Sequence, residues 1–298
     1  MNLIQKFLSL RKPDSSADSS RQIPKGLLDC VTEIRNVPYL KDGNRAHVLD
    51  MYCPISHEER IPAILYIHGG DLTSGSKDQS RHFCMRLSNN GYLVFSVEYR
   101  LCPETNVFGQ LQDIAAAMNC MDKMIPKFRG IPGIVHVVAD TAGAFLAFYT
   151  AAILRNPMIA NAASVRPSYL EIHSMALING FYYTTGKNST GICNPKSLYG
   201  SCYKQHPFYS YLNPGRPSIG LSLPPSLFIT SKKDTFYRHT KDLTRSLSQW
   251  GIPHTLNDYG DDSNLYPAFC VLAPELPESR MVIHDIIAYF RENEILLP

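Results

Sequence analysis

The residues best suited to chemistry lie in short loops that follow apolar runs. His68-Gly69-Gly70-Asp71 comes directly after the apolar run Ala63–Ile67. Further along, the turn Ala139-Asp140-Thr141-Ala142-Gly143 separates a second apolar run, Ile134–Val138, from a helical pattern. Glycine-rich loops present backbone N–H groups, and a hydroxyl at the start of a helix is a candidate nucleophile. These residue types in this order indicate nucleophilic chemistry at a strand–loop–helix site.

The elements around these loops alternate between strands and helices. Short apolar runs predict strands, and residues with a period of 3.6 predict the helices between them. Strands that alternate with helices of 10–15 residues indicate an α/β fold with a mostly parallel sheet and helices on both faces. Two leading strands joined by the turn 41–44 predict an antiparallel start. The predicted strands are Thr32–Tyr39, Ala46–Tyr52, Ala63–Ile67, Tyr92–Val97, Ile134–Val138, Ser174–Ile178, Ser226–Thr230 and Thr255–Asp258.

Between residues 180 and 217 the alternation stops. This stretch is rich in aromatic residues, among them Phe181, Tyr182, Tyr199 and Phe208. In a layered α/β fold such an insertion usually lies over the carboxyl ends of the strands, where ligands bind. Two interpretations stay open: the aromatic residues form a small cap over a cleft, or they only pack the insertion itself.

The ordered motifs resemble those of the α/β-hydrolase fold, and specifically the hormone-sensitive-lipase-like, acetyl-esterase-like family. That family carries an HGGG-type loop, a YRLAPE-like stretch, here Tyr99–Glu104, and a GDSAG nucleophile elbow. The resemblance continues from Leu223 to Asp234 and covers roughly residues 32–292. It implies ester hydrolysis without a cofactor or metal. It also implies a nucleophile position at Thr141, a triad acid at Asp234, and oxyanion donors at Gly69, Gly70, Asp71 and Ala142.

This chain departs from the family pattern at its chemical centre. Thr141 replaces the nucleophilic serine, and Asn264 falls where the family has its general base, a histidine. Asparagine cannot accept and return a proton near neutral pH. Asp71 stands where many relatives have a third glycine, and its carboxylate is expected to point outward or to pair with Arg100. His206 is the one other histidine that we expect could swing into a cleft, and His68 is expected to be structural.

These departures leave three functional hypotheses open. The first is a degenerate member of the esterase family, inactive or very weak, that binds a small ester or ligand in the old cleft. The second is an active carboxylesterase that uses Thr141 as its nucleophile. The third is an interaction or structural protein whose cleft is filled by its own side chains.

Composition narrows the possible partners and the cellular location. A net charge of +3 in 298 residues, without a Lys/Arg run, argues against nucleic-acid binding. No apolar stretch is long enough to span a membrane, and we expect no signal peptide. The eight cysteines lack a framework spacing, which favours reduced thiols and a cytoplasmic location, with a Cys193–Cys202 pair as the alternative. We expect a flexible segment at residues 1–22 and one hydrolase domain at 23–298 with a cap-like insertion at about 180–217. A homodimer is an open alternative to a monomer.

Overall fold

One mixed sheet organises the chain. The computed structural model describes residues 23–56, 59–185, 194–260 and 265–295. Eight strands lie in the order β1-β2-β4-β3-β5-β6-β7-β8. β2 is antiparallel to both β1 and β4, and the other neighbouring strands are parallel. The predicted α/β class, its mostly parallel sheet and its antiparallel start are therefore confirmed. The strands are β1 Val31–Pro38, β2 Val48–Pro54, β3 Ile61–Ile67, β4 Leu93–Val97, β5 Gly130–Asp140, β6 Ser174–Ile178, β7 Ser226–Thr230 and β8 Thr255–Asp258.

Helices cover both faces of the sheet. The α-helices are α1 Lys25–Leu28, α2 Arg81–Asn89, α3 Val107–Met124, α4 Thr141–Arg155, α5 Pro157–Ala163, α6 Pro195–Tyr199, α7 Pro217–Gly220, α8 Tyr237–Gln249, α9 Phe269–Leu272 and α10 Pro277–Ile295. Shorter 3₁₀ segments are Lys77–Ser80, Ile125–Phe128, Tyr203–Gln205 and Pro207–Tyr211. α3, α4 and α8 contribute to the apolar core on one face. α2, α9 and α10 contribute to the core on the other face.

The central strand β3 shows why this sheet is buried on both sides. Ala63, Leu65 and Ile67 belong to the core beneath α3 and α4. Ile64 and Tyr66, which alternate with them, belong to the opposite core. Successive side chains of a strand point to opposite faces, so a strand with apolar residues at every position needs helices on both sides.

The strand order creates a crevice at one edge of the sheet. β3 is flanked by β4 on one side and by β5 on the other. The chain therefore leaves the carboxyl ends of β3 and β5 toward opposite sides of the sheet. In open α/β sheets a ligand crevice forms at such a switch point. The loop that begins at His68 and the turn at Thr141 follow these two strands.

Most of the described cysteines are buried, and all carry free thiols. Cys53, Cys84, Cys102 and Cys270 are buried, whereas Cys30 and Cys202 are exposed and Cys120 is half-buried. Cys193 lies outside the described residues, as does the segment 1–22 for which we predicted flexibility. Across the described ranges, we find no helix that combines the length and the apolar character needed to cross a bilayer.

Candidate active site

A cleft opens at the carboxyl ends of β3 and β5. Its volume is about 310 Å³. The loop after β3, the start of α4, the segment after β7 and the segment before α9 all contribute to its walls. Residues that line it include Tyr66, Gly70, Asp71, Thr141, Phe236 and Ala268. The structure therefore brings together two loops that are about 70 residues apart in the chain.

Thr141 occupies the sharp turn between β5 and α4. β5 ends at Asp140 and α4 begins at Thr141, whose φ of +46° lies in the left-handed region. A β-branched residue is disfavoured there, so this turn holds Thr141 in a strained backbone conformation. Thr141 is buried, and its backbone carbonyl accepts a hydrogen bond from Phe181 N at 3.0 Å. This is the geometry of a nucleophile elbow.

Asp140 links the turn to the loop after β3. Its Oδ1 accepts hydrogen bonds from the Tyr66 hydroxyl and from Gly69 N, the latter at 3.1 Å. Its Oδ2 accepts a hydrogen bond from Thr141 Oγ1 at 3.1 Å. Burial raises the pKa of Asp140, and the hydrogen bonds oppose that rise. Sequence reasoning assigned no role to Asp140 or Tyr66. The alternation along β3 could have indicated that Tyr66 and Leu65 face opposite sides of the sheet.

The loop after β3 is shaped by its closeness to the turn. A β-carbon at position 69 would lie 1.8 Å from Thr141 Oγ1, so Gly69 is required for this approach. Gly70 has a φ of +116°, and a β-carbon there would lie 2.1 Å from Ser74 O. The Gly69 N–H donates to Asp140 Oδ1 at 3.1 Å in this structure, and its role as an oxyanion donor stays a prediction.

The other predicted oxyanion donors lie in the loop after β3 and at the start of α4. Gly70 and Asp71 line the cleft beside Thr141. Ala142 is the second residue of α4, and backbone N–H groups in the first turn of a helix have no acceptor within the helix. The amides of Gly70, Asp71 and Ala142 therefore stay candidates for binding a carbonyl oxygen.

Asp71 is half-buried in the wall of the cleft. Its φ is +57°, a conformation that Asp and Asn adopt more readily than most residues. Burial raises the pKa of its carboxyl group. The Arg100 guanidinium donates to Asp113 from Nε at 2.9 Å and from Nη2 at 2.6 Å. The expected Arg100 partner of Asp71 is thus engaged with α3.

His68 supports the loop. Its Nδ1 lies 2.7 Å from Gly69 O, and its Nε2 lies 3.1 Å from Glu98 Oε1. Its ring stacks on Tyr99 with a centroid separation of 4.3 Å. Both ring nitrogens are therefore engaged away from Thr141, as expected for a structural histidine.

Asp234 follows β7, where the resemblance implies the triad acid. Its side chain is buried and accepts hydrogen bonds from Phe236 N at 2.8 Å and Thr230 Oγ1 at 3.2 Å. Burial raises the pKa of Asp234, and these hydrogen bonds together with the Asn179 side chain oppose the rise. Thr235 and Phe236, which follow Asp234, line the cleft.

In sequence, the predicted position of the general base directly precedes a described segment that begins at Leu265. Asn264 lies outside the described residues, whereas Leu265 is buried and its carbonyl accepts a hydrogen bond from Ser231 Oγ at 2.5 Å. Of the histidines in the described ranges, only His68 lines the cleft. His206 instead stacks on Phe108 of α3 at 4.4 Å between ring centroids. His239 lies beside Phe181, 5.5 Å between centroids.

The aromatic residues of 180–217 pack mainly against α3 and α4. Phe181, Tyr182, Tyr199 and Phe208 are buried. The Phe208 ring lies 5.3 Å from Phe108 and 5.3 Å from Tyr149, between centroids. None of the described residues in this stretch lines the cleft, so its cap-like position stays a prediction. Over the described ranges, no group of three or more His, Cys, Asp or Glu residues could hold a metal ion.

Comparisons with known proteins agree with this architecture. A family model described as the alpha/beta hydrolase fold matches residues 64–263. Esterase B from Lactobacillus rhamnosis, solved with a tributyrin phosphonate, superposes with a TM-score of 0.83 at 22% identity, covering 92% of this chain and 88% of that one. A bacterial heroin esterase superposes with a TM-score of 0.68 at 22% identity, covering 91% and 88%.

Curated relatives differ greatly in length. An acetyl-hydrolase of Streptomyces hygroscopicus is 25% identical over 236 residues, which are 76% of this chain and 75% of that protein. A non-reducing polyketide synthase of Stereocaulon alpinum is 32% identical over 161 residues, half of this chain. The match spans only 6% of that synthase.

Proposed function

Because the chain belongs to the hormone-sensitive-lipase-like branch of the α/β-hydrolase family, we propose that it keeps the small-ester cleft of an esterase with a degenerate triad. In this proposal Thr141 stands at the nucleophile position, Asp234 at the acid position and Asn264 at the position of the missing histidine. The protein binds a small ester or a related ligand and hydrolyses it very slowly or not at all.

The hydrogen bond of the Thr141 hydroxyl carries this proposal. In a working triad the nucleophile passes its proton to a histidine that a carboxylate orients. Here Thr141 Oγ1 donates to Asp140 Oδ2 at 3.1 Å, and within the described ranges no hydrogen bond joins this hydroxyl to an imidazole. The sequence offers Asn264 where the family has its base, and asparagine cannot take the proton. The cleft is open, and Gly70 and Asp71 of the loop after β3 line it, which supports the binding part of the proposal.

The effect of removing triad residues from serine hydrolases gives the activity that we expect here. Removing triad members typically lowers turnover by about 10⁴–10⁶, and about 10³–10⁴ over water remains from the oxyanion hole and binding. The triad acts as a unit, so the changes at 141 and 264 are not additive. We therefore expect wild-type turnover near that residual level. The open cleft of about 310 Å³ argues against the alternative in which side chains fill it.

A reversion series tests the proposal. Hydrolysis of p-nitrophenyl acetate is measured for wild type, Thr141→Ser, and Thr141→Ser combined with Asn264→His. We expect turnover to rise by several orders of magnitude in the double variant only. Fast wild-type hydrolysis would refute the loss of activity. A double variant as slow as wild type would refute the assignment of Asn264.

An active threonine esterase is the second candidate, and one observation favours it. Asp140 is a buried carboxyl that accepts a hydrogen bond from the Thr141 hydroxyl at 3.1 Å, and burial raises its pKa. In that case Asp140 would accept the proton during attack. Wild type would then hydrolyse the ester rapidly, and Thr141→Ala would abolish the reaction.

A further inference from the structure

Asn179 joins segments that border the cleft. It directly follows β6 and is fully buried, with a φ of +49°. Its backbone N–H donates to Ile229 O of β7 at 2.8 Å, and its side-chain Oδ1 accepts a hydrogen bond from Ala268 N at 3.1 Å. Two residues further on, Phe181 N donates to Thr141 O at 3.0 Å. The residues that follow β6 therefore contact β7, the turn at Thr141 and the wall of the cleft before α9.

The amide of Asn179 also lies beside the buried acid that follows β7. Its Nδ2 forms no hydrogen bond of ordinary geometry with any described residue. The Asn179 side chain nevertheless lowers the pKa of Asp234, as a donor close to a carboxylate does. Oδ1 accepts from the Ala268 N–H and cannot donate, so Nδ2 is the atom that faces the acid. One side chain thus contacts the cleft wall through Oδ1 and faces Asp234 through Nδ2.

The cleft wall before α9 is held at two points. Leu265 O accepts a hydrogen bond from Ser231 Oγ at 2.5 Å, and Ala268 N donates to Asn179. Ser231 lies three residues before Asp234 in the segment after β7. The segment that carries the acid and the side chain of Asn179 therefore fix this wall together.

Asn179 is not among the residues that line the cleft, so it acts only through its neighbours. Without its amide, the Ala268 N–H would lose its acceptor and Asp234 would lose a nearby donor. The wall and the acid could then shift relative to Thr141. A misplacement of about 1 Å in an active site can lower turnover by about 10².

We propose that Asn179 is a positioning residue of this site, which fixes the cleft wall at Ala268 relative to the acid Asp234. This inference rests on the proposed function, because the acid acts in catalysis only when the triad is restored. Glycine and aspartate both tolerate a φ of +49°, so Asn179→Gly and Asn179→Asp test the side chain without straining the backbone.

Kinetics of the Thr141→Ser, Asn264→His double variant test the positioning role. Adding Asn179→Gly should lower kcat for p-nitrophenyl acetate by about 10² and change KM by less than about threefold. Asn36→Gly is the matched control, since Asn36 has a φ of +54° but lies in β1 at the far edge of the sheet. It should leave both constants unchanged. Hydrogen exchange of the peptide 265–272 should become faster with Asn179→Gly and not with Asn36→Gly.

An exchange of two side chains in the wild-type chain tests whether Asn179 faces Asp234. Asn179→Asp keeps an acceptor for Ala268 N and adds a second buried carboxyl. Two such carboxyls resist ionising together, so Tm should fall by about 6 °C more between pH 4 and pH 8 than in wild type. Adding Asp234→Asn removes the repulsion and should restore the wild-type pH dependence. Burial and Asp234 raise the pKa of the neighbouring Tyr182 well above this range, so Tyr182 stays neutral.

The outcomes separate this inference from the proposed function. A kcat within about threefold of the parent's in the Asn179→Gly variant overturns the positioning role and leaves the proposed function standing. So does a steep pH dependence of Asn179→Asp that persists when Asp234→Asn is added. If the Thr141→Ser, Asn264→His double variant has no activity, the proposed function fails and the positioning role fails with it.

Discussion

The close approach of α4 to β3 predicts a large effect of one methyl group at Gly143. A β-carbon there would lie 2.2 Å from Ile67 O and 2.5 Å from His68 O. Both are backbone atoms, so the clash is relieved only if α4 moves by about 0.8 Å to reach the 3.0 Å that real β-carbons keep. Overpacking of this kind costs up to about 3 kcal/mol. Replacing a helical glycine by alanine by itself stabilises the helix by up to about 1 kcal/mol. We therefore expect Gly143→Ala to lower the free energy of unfolding by about 2 kcal/mol.

Gly220→Ala is the matched control. Its β-carbon would lie 2.4 Å from Ile252 Cδ1 and 2.9 Å from Leu247 Cδ2, which are ends of flexible side chains. Rotation of these side chains relieves the clash, so we expect a loss below about 1 kcal/mol. Urea unfolding followed by circular dichroism compares the two variants with wild type. If Gly143→Ala costs no more than Gly220→Ala, α4 does not pack on β3 as closely as described, and the elbow geometry at the cleft is wrong.

Further predictions concern a buried acid, the thiols and one ion pair. Because burial raises the pKa of Asp234, the folded state binds its proton more tightly than the unfolded state. This contribution to stability is fully present below the ordinary Asp pKa and is lost as the pH rises through the raised value. Asp234→Asn should therefore flatten the dependence of Tm on pH above about 4, and an unchanged profile would contradict the burial. Cys30 and Cys202 should react with a thiol reagent within minutes at pH 7.5, whereas the four buried thiols named above should react only after unfolding, as peptide mapping would report. Arg100→Lys should lose the two-point contact with Asp113 and reduce the free energy of unfolding by about 1 kcal/mol, which an unchanged urea midpoint would exclude.

The strands were the part of the fold most accessible to sequence reasoning. β6, β7 and β8 have the predicted bounds, because each is a short run between clear turn residues. β5 begins at Gly130 rather than Ile134, since Pro132 and Gly133 mask the start of a strand that pairs with β3 at Ile61. The helix α5 was not predicted, because so short a helix depends on tertiary packing more than on its own propensity.

The segments that form the site could be predicted from the sequence, but the hydrogen bonds between them could not. The family resemblance placed the loop after β3 and the turn at Thr141 in one site, and both follow neighbouring parallel strands of the sheet. The roles of Tyr66 and Asp140 depend on hydrogen bonds across that junction, which no local pattern encodes. The hydrogen bond from the Gly69 N–H to Asp140 also depends on the contact between the two segments.

Covalent labelling tests the central claim most directly, because it reports the nucleophile itself. Wild type and the Thr141→Ser, Asn264→His double variant are incubated with a short-chain alkyl phosphonate that reacts with serine hydrolases. Intact-mass spectrometry then measures the added phosphonyl group. We predict no adduct on wild type and one adduct per chain, at position 141, on the double variant. Rapid labelling of wild type at Thr141 would contradict the account, because it would show an activated nucleophile in the native chain.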